Sequence, residues 1–330
     1  MKLPRIAEET AHIRPLKYRV SVWFTPIVLA ADALLHFLLP DVLQLSNDTG
    51  AYVFLLAALF AYHAIRWVLS LRFPGIREKV NHAAPFAIAI AALLGLWDIL
   101  TVKTGLLGLP YFPWPDKVLG VFVTEAPRLL VCVFYSMRLL ITGFSIGLVL
   151  GLATGIAIGW NSRFNYWIYP LLKVIGPIPA TAWIPLAMVV LPTSFLAGVF
   201  LIALAVWFPV TFMTSSGVAG VKNSYLEVAR TLGAKESFLI FKVAIPAAYP
   251  TIFIGIFMGM GMSFATLIVA EMLGVKAGLG WYINWAQGWG ELSKVYASLI
   301  VIAVIFSTLL NLLFKLKDRI LIWQRGLIKW

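Results

Sequence analysis

The sequence predicts an all-α fold, a polytopic transmembrane helical bundle of about eight spans, and three observations predict it. The 330-residue chain is 61% hydrophobic and only 12% charged, with a mean hydropathy of +0.92. Soluble domains are about half apolar and about a quarter charged. The apolar residues gather in repeated blocks close to the ~20 residues that carry a helix across a bilayer. Lysine and arginine are concentrated on every second loop, the bias expected of cytoplasmic loops.

A basic lead (Lys2, Arg5, Arg14, Lys17, Arg19) precedes the first apolar block, 21–39. No small-residue cleavage site follows it, so the block reads as a retained anchor. The remaining spans are expected at 51–71, 84–102, 129–159, 167–191, 195–218, 243–272 and 295–316. The fourth and seventh exceed the bilayer thickness and must tilt, break or protrude. The fifth holds Pro177, Pro179 and Pro185, which break a helix and are tolerated only where neighbours or water satisfy the freed carbonyls. With these spans, eighteen cations fall on one side, in the N-terminal lead, the loops at 72–79, 163 and 222–242, and the segment 315–329. Five fall on the other: Lys103, Lys117, Arg128, Lys276 and Lys294. An even number of spans with both termini cytoplasmic follows. The net charge of +12 is then loop bias rather than a nucleic-acid surface. The single cysteine, Cys132, permits no intrachain disulfide framework.

Within the fourth span, Gly143, Gly147, Gly151, Gly155 and Gly159 recur every four residues along one side of a helix. Lipid gives helices no hydrophobic reason to associate, so such a stripe marks close backbone packing. Gly255, Gly259 and Gly261 point to a shorter approach of the same kind. In the last outer loop Trp281, Trp285 and Trp289 would share a helix face, as an interfacial aromatic belt or as a docking surface. Ionisable residues inside spans are costly and so are candidates for function. Asp32 and His36, four apart, could form a hydrogen-bonded pair, structural or proton-relaying. Asp98 and Glu271 lie near outer span ends, where snorkelling is expected. Arg138 could attract an anion or pair with a carboxylate. Arg138, Pro179, Trp183 and Glu271 are the candidates for a substrate pathway. The sequence has no G-x-x-x-x-G-K-[ST] phosphate loop, no Cys/His cluster with zinc spacing and no evident Ser/His/Asp arrangement. Catalysis and a metal site in this chain are not expected.

The stretch 222–246, KNSYLEVARTLGAKESFLIFKVAIP, lies on the cation-rich side and is too long and amphipathic for a turn. Tyr225, Leu226, Val228, Ala229 and Leu232 are apolar at mostly helical spacing, and Glu227 and Arg230, three apart, can pair. Gly233 can end that helix in a left-handed conformation, and Pro246 interrupts the next. A helix, turn, helix presented to the cytosol results.

The order Glu227, Val228, Ala229, then Gly233, then Val243, Ile245 and Pro246 resembles the EAA loop of ABC importer membrane subunits, in which E-A-A, three residues, G, nine residues, I, one residue and L-P follow one another. Val228, Val243 and Ile245 are conservative departures. GPIPATAWIPLA at 176–187 and VAEMLGVKAGLGWYI at 269–283 are similar to segments of the nitrate, sulfonate, taurine and bicarbonate importers. The resemblance covers about residues 84–316. It implies a six-span ABC importer permease core at 81–330, with residues 1–80 adding two extra N-terminal helices. It also implies that Glu227, Val228, Ala229, Arg230, Gly233, Ile245 and Pro246 couple the chain to cytoplasmic ABC ATPase subunits. Those subunits would bind ATP and Mg, leaving this chain without a cofactor. Further implied partners are a second copy of the permease and an extracytoplasmic substrate-binding protein, at the inner membrane and without nucleic acid. The implied function is import of a small solute such as nitrate, taurine or an alkanesulfonate, or bicarbonate, by alternating access. An ion-gradient-driven secondary transporter or channel, with Asp32 and His36 as its proton site, is the alternative.

Overall fold

The computed structural model describes residues 20–42 and 50–322, with side chains from residue 24 onward. The basic lead ahead of residue 20, Arg325 and Lys329 lie outside the described residues. Among the described residues every regular element is helical. In order these are α1 (Val20–Leu38), α2 (Ala51–Arg72), α3 (Pro74–Asp98, continued by a π turn at Ile99–Lys103), α4 (Pro115–Thr124), α5 (Ala126–Trp160), α6 (Ser162–Ile175), α7 (Ile184–Val190), α8 (Ser194–Ala219), α9 (Asn223–Thr231), α10 (Glu236–Phe238), α11 (Ile245–Gly274), α12 (Leu279–Gly288) and α13 (Leu292–Ile320). Among the described residues six helices are long and apolar enough to cross a bilayer. A seventh crossing forms if α6 and the segment Ala180–Val190, bent by 86°, count as one. The first expected span corresponds to α1, which is apolar over Phe24–Leu38.

The chain divides into two compact units, Met1–Thr124 and Glu125–Trp330. The division expected at residue 80 rests on the family resemblance. The packing division falls later, so α3 packs with α1 and α2.

In the first unit Leu29, Tyr52, Leu56 and Ala91 form the apolar centre. Polar residues fix the helix ends. Asp116, in the first turn of α4, accepts the backbone N–H of Tyr52 at 2.9 Å. Lys103 donates to the carbonyls of His36 (2.6 Å) and Leu39 (2.9 Å) and to Asp41 (2.6 Å). It thereby satisfies acceptors that the end of α1 leaves without intrahelical partners. The expected Asp32–His36 pair does not form. His36 Nδ1 lies 2.9 Å from Asp98 Oδ2 on α3, and the Asp32 carboxylate lies against Gly95, one helical turn away from Asp98. The facing helix supplies the partner, so spacing along α1 alone does not identify it.

The second unit is built around α8, a 26-residue helix without a charged side chain. Apolar on all sides, it is buried between α5 and α11. The glycine ladder of α5 rests along its length. A methyl group on Gly143 would stand 2.7 Å from Ile202 Cβ, on Gly151 2.8 Å from Val210 Cβ, on Gly155 2.6 Å from Thr214 Cβ and on Gly159 2.7 Å from the Ser215 carbonyl. On Gly147 it would be 2.5 Å from the Ala203 carbonyl. On the other side Gly255 approaches Pro209 and Met213, and Gly259 approaches Val206. Gly261 faces open space, so the close approach in α11 rests on two glycines rather than three. In the broken fifth span the bend follows Gly176, whose missing side chain makes room for the Phe208 ring. Pro177 and Pro179 lie in the bend, and Pro185 sits in the first turn of α7, where its lost N–H has no helical partner to lose.

These contacts predict that Gly151→Leu destabilises the second unit by about 1–3 kcal/mol, the usual range for overpacking. Gly261→Ala should leave the thermal midpoint in detergent unchanged or slightly raised, because it meets no neighbour and gains up to about 1 kcal/mol of helix propensity.

Candidate functional site

The segment resembling an EAA loop is an elbow of two limbs. Its first limb, α9, has no fully buried residue. Leu226 and Ala229 are half-buried, whereas Tyr225, Glu227, Val228 and Arg230 are exposed and Leu232 is 83% exposed. The apolar residues thus divide between a face covered by the protein itself and a face left bare.

The turn between the limbs is tightly defined. Gly233 has φ +82°, a conformation in which a Cβ would be strained. Its N–H donates to the Arg230 carbonyl at 2.9 Å, and the Ala234 N–H donates to the Ala229 carbonyl at 3.0 Å. These two bonds make a Schellman cap. Arg230 pairs with Glu236 across the turn at 3.6 Å rather than with Glu227. Both partners are exposed, so the pair contributes little stability. Ala229, Leu232, Gly233, Lys235 and Phe238 line one open hollow in the elbow.

Pro246 does not interrupt the second limb. Residues Glu236–Gly274 form one helical rod of 39 residues, through α10, a π turn at Leu239–Ala244 and α11. The widened turn shifts the hydrogen-bond register just ahead of the proline, which then occupies the first turn of α11. Ile245 packs on the cluster of Val218, Ala244, Ala248 and Ile252. The elbow is therefore joined to the membrane by a helix rooted beside α8.

The four candidates for a substrate pathway lie on separate elements. Arg138 is exposed, with its guanidinium 4.8 Å from the Phe195 ring centroid, and makes no ion pair among the described residues. Pro179 starts the short 3-10 turn Ala180–Trp183 inside the bend. Trp183 packs against the cluster of Ile184, Ala187 and Ala270, and its buried Nε1 has no partner among the described residues.

Glu271 does not snorkel. It is fully buried, accepts from Ser136 Oγ at 2.7 and 2.9 Å and accepts the Gly280 N–H at 2.8 Å. Ser136 Oγ in turn accepts the Leu279 N–H at 2.8 Å. A carboxylate from α11 and a hydroxyl from α5 thus satisfy the first N–H groups of α12, where negative charge is also favoured by the helix dipole. A side chain at Gly278 would overlap this carboxylate, and one at Gly280 would overlap the Ile268 carbonyl and the Glu271 Cβ. The pair of glycines following Glu271 was the available sequence signal for this clamp.

Nearby, Tyr282 Oη donates to Glu125 Oε2 at 2.6 Å, and Lys294 pairs with both Glu125 and Glu291. The Arg128 guanidinium lies 4.2 Å from the Trp285 ring centroid, and Trp285 stacks on Trp281. Two of the three spaced tryptophans are therefore engaged within the chain, and Trp289 is left 73% exposed. Partial burial opposes ionisation of Glu125, but hydrogen bonds from Lys294 and Tyr282 and the charges of Lys294 and Arg128 hold its carboxyl below the ordinary range. Burial and the bond to Glu125 push the Tyr282 hydroxyl up.

Glu271→Ala should cost about 1–3 kcal/mol for each buried donor left unsatisfied, whereas Glu271→Gln, which keeps an acceptor, should cost less in detergent unfolding. The lowered Glu125 carboxyl stabilises the fold fully above its unfolded value, and that contribution is lost as pH falls through the folded value. Glu125→Gln should flatten the acid side of a plot of thermal midpoint against pH.

The model of the binding-protein-dependent transport system inner membrane component matches residues 147–322. A Brucella abortus protein named as a probable ABC transporter permease is 32% identical over 239 residues, 72% of this chain and 94% of that protein. The nitrate import permease protein NrtB of Synechocystis sp. is 31% identical over 260 residues, 73% of this chain and 88% of that protein. Among solved structures, the MetNI methionine ABC transporter in an inward-facing conformation shares the fold, with a TM-score of 0.50 at 16% identity over 60% of this chain and 98% of that one. The chain thus belongs to the binding-protein-dependent inner membrane components, the permease subunits of ABC importers.

Proposed function

We propose that this permease imports a small oxyanion or organosulfonate by alternating access, driven by ATPase subunits that grip the elbow at 222–246. One observation carries the reading: the α9 helix is capped at both limbs' junction by Gly233, bare on its outer face and continuous with a rod that enters the bundle. Such an element transmits displacement without melting. Glu227, Val228, Arg230 and Leu232 meet the ATPase, while Ala229, Ile245 and Pro246 hold the limbs in place. ATP and Mg belong to that partner.

In this reading residues 81–330 supply the six-span core, which pairs with a second copy and receives its solute from an extracytoplasmic binding protein. Residues 1–80 are accessory. The elbow and both termini face the cytoplasm of a cell bounded by the inner membrane, as the cation bias supports. Nitrate is favoured as cargo by the name of one relative, and sulfonates, taurine and bicarbonate by the sequence resemblance. Exposed Arg138 is the residue in this chain best suited to attract such an anion. The gradient-driven alternative loses its Asp32–His36 pair, because His36 is bound to Asp98.

Gly233→Leu forces a side chain into the left-handed region at a cost of about 1–2 kcal/mol, which corresponds to a roughly tenfold loss of the coupled state. Glu227→Lys reverses a charge on the bare face. Both variants should insert into membranes normally, yet lose uptake and co-purify with less ATPase. Normal uptake by both would refute the coupling role, and calorimetry of the cognate binding protein with nitrate, taurine and bicarbonate would identify the cargo.

A further inference from the structure

We propose that the first unit carries a proton-binding site at Asp32, in a buried polar pocket completed by His36, Tyr52 and Asp98. The inference rests on the first unit alone and is independent of the cargo and of the coupling elbow.

Asp32 is 8% exposed. Its carboxylate lies at the α1–α3 interface directly against Gly95, where any side chain would overlap it. Asp32 Oδ2 is buried and has no hydrogen-bond partner among the described residues, and the same is true of Tyr52 Oη. One turn along α1, His36 bonds to Asp98 on α3, and the Tyr52 ring of α2 meets the His36 ring edge-on at 5.3 Å. The side chains of His36 and Asp98 are 9% and 6% exposed. Three helices thus converge on two carboxylates, one imidazole and one phenol.

Charge bookkeeping in this pocket leaves one carboxylate over. The titratable groups facing it are Asp32 and His36 on α1, Tyr52 on α2, and Asp98 with Lys103 following on α3. Lys103 is committed to Asp41 and to two carbonyls, and Asp116 of α4 is engaged by the Tyr52 backbone. The His36 ring is bound to Asp98, which leaves Asp32 Oδ2 without a partner among the described residues. An unpaired carboxylate between apolar helices is strongly disfavoured, so Asp32 takes up a neutralising ligand. Among the described residues no group of three His, Cys, Asp or Glu side chains could hold a metal ion. A proton fits instead: transferred from water to Oδ2, it removes the charge and turns a bare buried acceptor into a neutral O–H group. On release the proton returns to water and leaves a charge pressed against Gly95, which loosens α1 from α3.

The test uses the full chain in lipid nanodiscs. Infrared spectra recorded as pH is lowered from neutral should gain a protonated-carboxyl C=O band that is absent from Asp32→Asn, a substitution that imitates the protonated side chain and should fold. The thermal midpoint of the wild type should fall as pH is raised, and the Asp32→Asn midpoint should lack that fall. A band that persists unchanged in Asp32→Asn, or identical pH profiles for the two proteins, would overturn the proposal. So would an absent band accompanied by an Asp32-dependent rise in midpoint with sodium or potassium, which would assign the pocket to an alkali cation.

Discussion

The architecture of the second unit depends on how closely α5 can approach α8. In lipid the gain from sequestering apolar surface is small, and attraction between helices comes from dispersion and weak polar contacts at short range. Five glycines at four-residue spacing bring the backbone of α5 onto the side chains and carbonyls of α8. The opposite flank of α8 is approached in the same way by Gly255 and Gly259 of α11. With α8 held on both sides, the elbow's second limb and the Glu271 clamp both start from fixed positions, since both belong to the rod that ends α11.

Features set by local backbone chemistry were legible in the sequence. The spans follow from hydropathy, the ladder from four-residue periodicity, and the left-handed turn at Gly233 from the one residue type that enters that region freely. Features set by long-range encounters were not. Glu271 meets Ser136 from 135 residues away, where its place near a span end suggested snorkelling, and His36 meets Asp98 across 62, where spacing along one helix suggested Asp32. Arg230 is nearer the boundary: Glu227 lay within reach on the helix, but the turn brought Glu236 closer. Pro246 shows a different limit. A proline reads as a break, and only the backbone shows that a π turn before it keeps the rod continuous.

Polar residues in the two units do different work. In the second, Glu271, Ser136 and the start of α12 form a saturated network, with both carboxylate oxygens occupied. In the first, Lys103 and Asp116 are likewise used up in tying helix ends, but the pocket between α1, α2 and α3 retains two buried oxygens without partners. Satisfied networks fix geometry, and incomplete ones leave room for a ligand.

The bare face of α9 also bears on the fate of a solitary subunit. Tyr225, Val228 and Leu232 present oily side chains beyond the bundle, where no lipid tail can shield them if the elbow stands in water. If ATPase subunits grip the elbow as proposed, a copy without them displays the kind of surface that chaperones and proteases recognise, and a copy bound to them hides it. The same three side chains would then serve both assembly and disposal of the orphan.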